Sequence, residues 1–525
     1  MSLRNRKLFY GAFFLVALLL VTVGGGMQKA PGYMDAEYYY AMSVRLAEGK
    51  GMTQPFLWNY LDDPPSLIAP SHTFWMPLTS LVAVPGFWLF RSFTGARLIF
   101  WLLSALVPPL TVWFGYRFHG DWELAVTGGA LALFPVFYGV YLPVTDSFAL
   151  YMLLGMAFFV MTGWPAGKIE MQAAGLGVVT GLMYMTRPDG LLWLVIALCW
   201  LGWKVWNESE QRVKSLLAVG VLCILGFLFV GSFWFARNLM VFHRLLPPGS
   251  GRALWLTRYE DLFLYPAQDL TFARWLSGGW ERIGSGIWQA VVTNFQTAVA
   301  VQGSIALFPF IGVGMATCWK RSVVKVGLLL WAGIFLMFSL VFPYQGVNGS
   351  FFHAGAGVQP FLWVMASVGI QRTVMVVSGW RHWQRGHQVQ VFLEVLLVLV
   401  CVFLTAGLFL QKIHGGKTGI PWGGGTEAYS QIEMVLERLG ISPCEPVMVN
   451  NPPGYYLATG RAAVVIPFGD ETTVRAASER YGVKYLILDQ NNSGHLPDLY
   501  FHPGISRGFK FLMRFGDARI YEILP

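Results

Sequence analysis

Apolar runs of roughly 17–25 residues recur through most of the chain, the length an α-helix needs to cross a hydrocarbon core. Inside such a core every backbone N–H and C=O must find a partner within the protein. Repeated runs of this kind therefore imply a polytopic α-helical membrane protein. The composition agrees. Of 525 residues, 55% are hydrophobic and 12% charged, whereas a soluble domain carries about 25% charged residues. A net charge of +9 belongs, in such a protein, mostly to cytoplasmic loops. No basic helix or base-stacking module accompanies it, which argues against nucleic acid as a partner. Cys199, Cys223, Cys318, Cys401 and Cys444 show no paired spacing, so neither a disulfide framework nor a zinc site is expected.

Loop charges give an orientation. Arg4, Arg6 and Lys7 precede the first apolar run (8–23) and place the N-terminus in the cytoplasm. The run exceeds a signal-peptide core, so a retained helix is expected. Later basic loops carry Lys168, then Lys204, Arg212 and Lys214, then Lys320, Arg321 and Lys325, then Arg381 and Arg385. They all face the cytoplasm only if the stretch 75–90, with Pro77 and Pro85, lies along the outer surface. Residues 26–95 then form one large external loop with surface helices near 35–49 and 75–91. Further spans are expected at 96–116, 122–141, 147–163, 171–186, 189–206, 214–236, 288–316, 322–342, 358–376 and 390–411, about 11 with the first. A second long external loop covers 237–287. The expected division is a membrane domain at 1–411 and a small extracytoplasmic α/β domain at 412–525, joined by a Gly-rich linker. In the second domain, helices are expected at 427–439 and 471–481, and strands at 446–449, 462–467, 485–489 and 518–524. The whole reads as a multi-pass protein of the inner (plasma) membrane.

The residues suited to chemistry fall on the outer side. The stretch Gly32-Tyr-Met-Asp-Ala-Glu-Tyr-Tyr-Tyr-Ala41 sets Asp35 and Glu37 just beyond the first span. An N-cap and a first-turn acid would explain both. Carboxylates at the mouth of a membrane domain also take a proton from an acceptor hydroxyl, or hold a cation. Asp146 opens an apolar helix, as its N-cap or as a second acid facing Asp35. Arg187-Pro-Asp189 is either a structural turn or an anion site with Arg as a planar fork. Arg237-Asn238 ends a span, where snorkelling to the interface is the ordinary role. His243, Arg244 and Arg252 follow, three basic groups suited to a lipid phosphate. His353 is the sole histidine of the last external inter-helix loop, either a hydrogen-bonding group or a catalytic one. No GxxxxGK[ST], HExxH, CxxC or GxSxG pattern occurs, which argues against nucleotide hydrolysis and zinc-hydrolase chemistry.

Several short stretches, in this order, resemble the GT-C superfamily of membrane glycosyltransferases. In particular they are similar to bacterial relatives of the protein O-mannosyltransferases and of the aminoarabinose transferase that modifies lipid A. They are Asp35-Ala-Glu-Tyr-Tyr, Leu46-Ala-Glu-Gly, Trp58-Asn-Tyr, Pro70-Ser-His-Thr-Phe-Trp-Met-Pro-Leu, Thr145-Asp-Ser, Thr186-Arg-Pro-Asp-Gly-Leu-Leu and Trp234-Phe-Ala-Arg-Asn-Leu. The resemblance implies a GT-C-like fold and transfer of a hexosyl or pentosyl unit, with inversion, from a polyprenyl-phosphate-linked sugar. The acceptor would be a protein, lipid or glycan outside the cytoplasm. Asp35 would be the general base, with Glu37 and Asp146 as supporting acids. Arg187, Arg237 and His353 would bind the donor phosphate, and Asp189, Asn238, His72 and Tyr38 would line the pocket. The family often has an Arg or Tyr before the last external Pro, where this chain reads Phe351-Phe-His-Ala-Gly-Ala-Gly-Val-Gln-Pro360. Membrane lipid is a further partner, and a divalent cation is the one cofactor the acids would take. Two alternatives use the same residues differently: a polytopic transporter or lipid flippase, which no inverted repeat supports, and a non-catalytic assembly subunit acting through 412–525.

Overall fold

The apolar runs fold as helices, and polar breaks supply their ends. The computed structural model describes residues 3–524 other than 165, 166, 209, 417, 418, 491–495, 505 and 507. Helix α1 (Leu3–Met27) leads to α2 (Met34–Ala47), α3 (Leu78–Phe90), α4 (Phe93–His119), α5 (Trp122–Leu133), α6 (Phe148–Gly163), α7 (Ile169–Thr186), α8 (Gly190–Glu208) and α9 (Arg212–Phe242). A loop region with short helices α10 (Pro248–Arg252) and α11 (Phe272–Ser277) follows. Next come α12 (Gly279–Thr297), α13 (Phe308–Thr317), α14 (Ser322–Leu336), the short α15 (Pro343–Gln345) and α16 (Phe351–Gly355), α17 (Gln359–Arg381) and α18 (Gly386–Ile413). Capping is visible at α4, where the Ser92 hydroxyl accepts from the Gly95 N–H at its start and left-handed Gly120 ends it.

Among the described residues, seven helices are long and apolar enough to cross a membrane: Asn5–Met27, Phe93–His119, Gly190–Glu208, Arg212–Phe242, Ser322–Val341, Pro343–Arg381 and Gly386–Ile413. The expected spans at 122–141, 147–163 and 171–186 correspond to α5, α6 and α7, which are shorter or less apolar. The two helices expected in the first loop are α2 and α3. With 13 residues, α3 is about 20 Å long, short of a core of about 30 Å. Its Trp88, Leu89 and Phe90 are exposed, as an interfacial helix requires. The single span expected at 288–316 is broken instead. Helix α12 passes into a π-helical turn at Ala298–Gln302, Ser304 and Ile305 take left-handed φ of 44° and 60°, and Pro309 restarts the chain in the first turn of α13. The last inter-helix loop is also mostly helical, kinked at Gly349 (φ +106°).

Glycines set the closest helix contacts. A Cβ on Gly369 of α17 would lie 1.8 Å from the Phe310 oxygen of α13, and one on Gly177 of α7 would lie 2.0 Å from the Cys223 oxygen of α9. One on Gly155 of α6 would lie 1.9 Å from the Gly357 oxygen. Small residues let backbones touch where lipid offers no hydrophobic drive for helices to associate. The Gly155–Gly357 contact also brings α16 beside the start of α6.

After α18 come α19 (Gly424–Arg438), α20 (Pro452–Thr459), α21 (Glu471–Tyr481) and α22 (Pro497–Phe501). The first loop contributes β1 (Thr53–Gln54), β2 (Phe56–Leu57) and β3 (Ala69–Pro70). The C-terminal part contributes β4 (Val447–Val449), β5 (Ala463–Val465), β6 (Tyr485–Leu488), β7 (Phe509–Phe515) and β8 (Ala518–Ile523). The larger sheet has the order β2-β5-β4-β6-β8-β7; β2, β5, β4 and β6 run parallel, β8 lies antiparallel to β6, and β7 antiparallel to β8. The 412–525 expectation therefore encloses five of the six strands, and the first loop adds the sixth. Strand β7 escaped the sequence reading because a bulge between Phe511 and Met513 interrupts its alternation.

Gly369→Val should lower the thermal midpoint of the detergent-purified protein, equivalent to about 3 kcal/mol of overpacking. Gly379→Val, on the same helix with nothing within 4 Å of its Cβ position, should leave the midpoint unchanged.

Candidate active site

Helix α2 starts without a side-chain cap. Extended Tyr33 holds the N-cap position, and Asp35 and Glu37 lie in the first turn, where unpaired N–H groups favour negative charge. The Asp35 side chain is 27% exposed at the mouth of a cluster whose other acid, Asp146, is fully buried. Ser147, rather than Asp146, holds the N-cap position of α6. Asp146 Oδ1 accepts from the Ser147 N–H (2.5 Å) and hydroxyl (3.0 Å), and Oδ2 accepts from the Tyr33 hydroxyl (2.5 Å).

His353, on α16, joins the two acids. Its Nε2 lies 3.6 Å from Asp35 Oδ2 and 3.5 Å from Asp146 Oδ2. The ring stacks on Phe148, with centroids 4.4 Å apart, and Nδ1 is 2.9 Å from the Gly349 carbonyl. A carbonyl can only accept, so Nδ1 carries a proton and Nε2 faces the acids. Buried Nε2 makes no hydrogen bond. A bare lone pair against two carboxylate oxygens is repulsive, so the arrangement calls for a positive species there: a proton on Nε2 or a cation. The candidate ligand atoms of Asp35, Asp146 and His353 lie within 4.8 Å of one another. Carboxylate oxygens and an imidazole oriented by a backbone carbonyl are donors a divalent ion accepts. Burial pushes the Asp35 carboxyl up to about 6; the His353 charge opposes this and Asp146 adds to it.

Arg187 lies on the same side. Its Nε donates to Asp189 Oδ1 at 2.8 Å, Nη2 reaches the Ser350 carbonyl at 3.5 Å, and the Tyr151 hydroxyl donates to Asp189 Oδ2 at 2.6 Å. The Arg187–Asp189 pair thus forms within the turn, and its guanidinium also acts electrostatically on Asp35. Asp189 orients it.

The remaining expected site residues are engaged elsewhere. Glu37 is buried, and its Oε2 accepts from Asn451 Nδ2 of the C-terminal part at 2.7 Å. Burial pushes its carboxyl up to about 7, against the stabilising Asn451 hydrogen bond. Arg237 donates to the Met52 and Ser71 carbonyls and to Asn238 Oδ1, while Asn238 Nδ2 donates to the Leu245 carbonyl. The His72 ring lies between the Ser71 and Ser80 hydroxyls, and burial with the Arg237 charge pushes its pKa down to about 3. The His72 N–H donates to the Tyr38 oxygen, and the Tyr38 hydroxyl donates to Gln54. Arg237, Asn238, His72 and Tyr38 thus knit the first loop to the end of α9. No described hydrogen bond or ion pair joins them to Asp35, Asp146 or His353. His243 and Arg244 are exposed, and Arg252 donates to the Leu61 carbonyl.

Tyr33, Trp422 and Asn451 reach the acids or the turn that carries them, and the sequence reading singled out none. Asn451-Pro-Pro carries a legible signal, an N-cap residue ahead of Pro in the first helical turn. A lone Trp in a Gly-rich stretch carries only a weak one.

No family model matches the chain, and no curated protein matches it by sequence. Solved structures do. ArnT from Cupriavidus metallidurans, bound to undecaprenyl phosphate, aligns at 13% identity and TM-score 0.55 over 99% of this chain and 98% of its own. The apo oligosaccharyltransferase of Archaeoglobus fulgidus aligns at 12% identity and TM-score 0.53 over 93% of this chain and 70% of its own. The mycobacterial arabinofuranosyltransferase AftD aligns at 14% identity and TM-score 0.50 over all of this chain and 42% of its own. At these identities the likeness is one of fold: the chain shares the architecture of these solved transferases, as the resemblance of its motifs implied.

Glu37 binds a proton more tightly when folded, at about 7 against 4.5 as the ordinary value. Its contribution to stability is complete below the ordinary value and is lost as pH rises through the folded one. Thermal midpoints measured from pH about 5 to about 8 should fall for the wild type relative to Glu37→Gln. Parallel curves would contradict the buried position of Glu37.

Proposed function

We propose that the chain is a membrane glycosyltransferase that moves one sugar, with inversion, from a polyprenyl phosphate to an acceptor on the face carrying Asp35. That face would be extracytoplasmic and the membrane the inner (plasma) membrane, with the N-terminus cytoplasmic. The observation that carries this proposal is the meeting of Asp35, Asp146 and His353, beside Arg187, at one end of a GT-C bundle. The ArnT structure with undecaprenyl phosphate supports a polyprenyl phosphate as the lipid partner.

The chemistry follows from the charges. The acceptor O–H or N–H attacks the anomeric carbon as the bond from that carbon to the phosphate oxygen breaks. The acceptor proton passes to Asp35, whose burial keeps it basic enough to take it near neutral pH. The lipid phosphate leaves as an anion, and Arg187, oriented by Asp189, offers it positive charge in a site from which the apolar bundle excludes water. Asp146, fixed by Ser147 and Tyr33, holds His353 and Asp35 in register. A divalent cation held by Asp35, Asp146 and His353 would add Lewis-acid stabilisation of the phosphate. A carboxylate has two oxygens, so Asp35 would have one to offer such an ion and one to take the acceptor proton.

Asp35→Asn should lower sugar transfer from labelled polyprenyl-phosphate sugars by about 100-fold or more, with the variant still inserting in membranes. Arg187→Ala should lower transfer by about 100-fold, and Arg237→Ala should act through stability. Near-normal turnover by Asp35→Asn would remove Asp35 as the base. Chelator-treated protein should regain lost activity with Mn2+ or Mg2+ if the cation is bound, and lose none if His353 carries a proton instead.

A further inference from the structure

We infer that Trp422 is a positioning residue for the acids, and that the chain beyond α18 clamps the first turn of α2 on both sides of Asp35. The kinetic part of its test rests on the transferase proposal; the structural part does not.

Trp422 lies in a stretch whose glycines suggest a flexible linker, yet it is held at several points. Its backbone N–H donates to the Ile413 carbonyl at the end of α18 (3.0 Å), and its indole N–H donates to the Ala30 carbonyl (2.8 Å). The indole packs on the backbone of Gly32. A Cβ there would lie 2.3 Å from Trp422 Cε2, and φ is +84°. Only glycine suits both the conformation and the contact. The next residue is Tyr33, whose ring meets Trp422 edge-on at 5.8 Å and Tyr141 at 5.3 Å. Held between them, the Tyr33 hydroxyl donates to Asp146 Oδ2. Trp422 therefore reaches a cluster acid through one intervening side chain.

The second arm lies two residues past Asp35. Glu37 accepts from Asn451, whose own Oδ1 accepts from the Gly454 N–H at the start of α20 (3.2 Å). A Cβ on Gly454 would lie 2.8 Å from Glu37 Oε2, so the carboxylate sits directly against the start of that helix. Tyr33 and Glu37 bracket Asp35 in sequence, and both are held by residues that follow α18. Tyr33 is also tied to this turn through its backbone, since its carbonyl accepts the Glu37 N–H at 3.0 Å. A small rotation of that turn would move Asp35 relative to His353, and misplacement by about 1 Å can lower turnover about 100-fold. The C-terminal part is in this sense a component of the active site, although none of its residues needs to touch substrate.

The test uses the full chain in lipid nanodiscs. Hydrogen exchange over residues 30–41 should be faster in Trp422→Ala than in wild type, with the membrane helices unchanged. Trp422→Phe, which keeps a ring beside Tyr33 but loses the bond to Ala30, should be intermediate and serves if the alanine variant fails to insert. With whichever polyprenyl-phosphate sugar the wild type turns over, kcat should fall about tenfold or more in Trp422→Ala, while KM for the donor stays within about twofold. Phe at 422 should recover part of the loss. The double variant Tyr33→Phe with Trp422→Ala should be no slower than the slower single variant, because both act along one route. Unchanged exchange over 30–41, unchanged kcat, or fully additive losses would each overturn the inference. If the wild type transfers no sugar, the transferase proposal fails, and the exchange measurement alone decides the clamp.

Discussion

Two carboxylates and an imidazole in one water-poor pocket are the constraint on which the structure turns. In bulk water, charges of this kind at about 4 Å interact by about 1 kcal/mol, and the interaction grows severalfold as water is excluded. The acids therefore have to be balanced locally. Arg187 and the proton or cation at His353 Nε2 supply the balance, each residue on an element brought in by backbone packing. The Gly155–Gly357 contact seats α16 against α6, and the turn between α7 and α8 carries Arg187 with its own partner, Asp189. With a bulky residue at either glycine, α16 could not approach α6 so closely, and the acids would lose the imidazole that faces them.

Much of this was legible in the sequence because its cause is local. Apolar runs gave the helices, among them the short α3 with its Pro85, and short apolar stretches gave β4, β5, β6 and β8. The acids beyond the first span stood out for a simple reason: charge is costly beside a membrane. What escaped depends on tertiary contact. Arg187 and Arg237 look alike in sequence, each at the end of an apolar run and followed within two residues by a polar side chain. They differ because the first loop folds back to present the Met52 and Ser71 carbonyls to Arg237, whereas Arg187 meets a buried Asp189 on the side where the acids gather. Glu37 and Asp35 look like a pair, yet they point to different partners, one toward the C-terminal part and one toward the cluster. The break in 288–316 follows from left-handed residues and a proline within a run whose hydropathy reads as continuous.

The C-terminal sheet is likewise not an independent appendage. The first loop gives it β2, it receives Glu37, and the approach to it passes Trp422. The loop carrying Asp35 and the domain after α18 are therefore parts of one packed unit. Folding of either must be linked to folding of the other, since β2 pairs with β5 and Asn451 meets Glu37. The two-residue β2 is too short to leave a pattern in the sequence. The coupling between loop and domain became visible only with the tertiary fold.

The most direct test of the central claim is a density map of the full chain in nanodiscs with undecaprenyl phosphate bound. The account predicts phosphate density against the Arg187 guanidinium, on the side of the cluster formed by Asp35, Asp146 and His353. Phosphate seated instead on Arg237 or on the exposed His243–Arg244 pair, with nothing bound beside the acids, would contradict it.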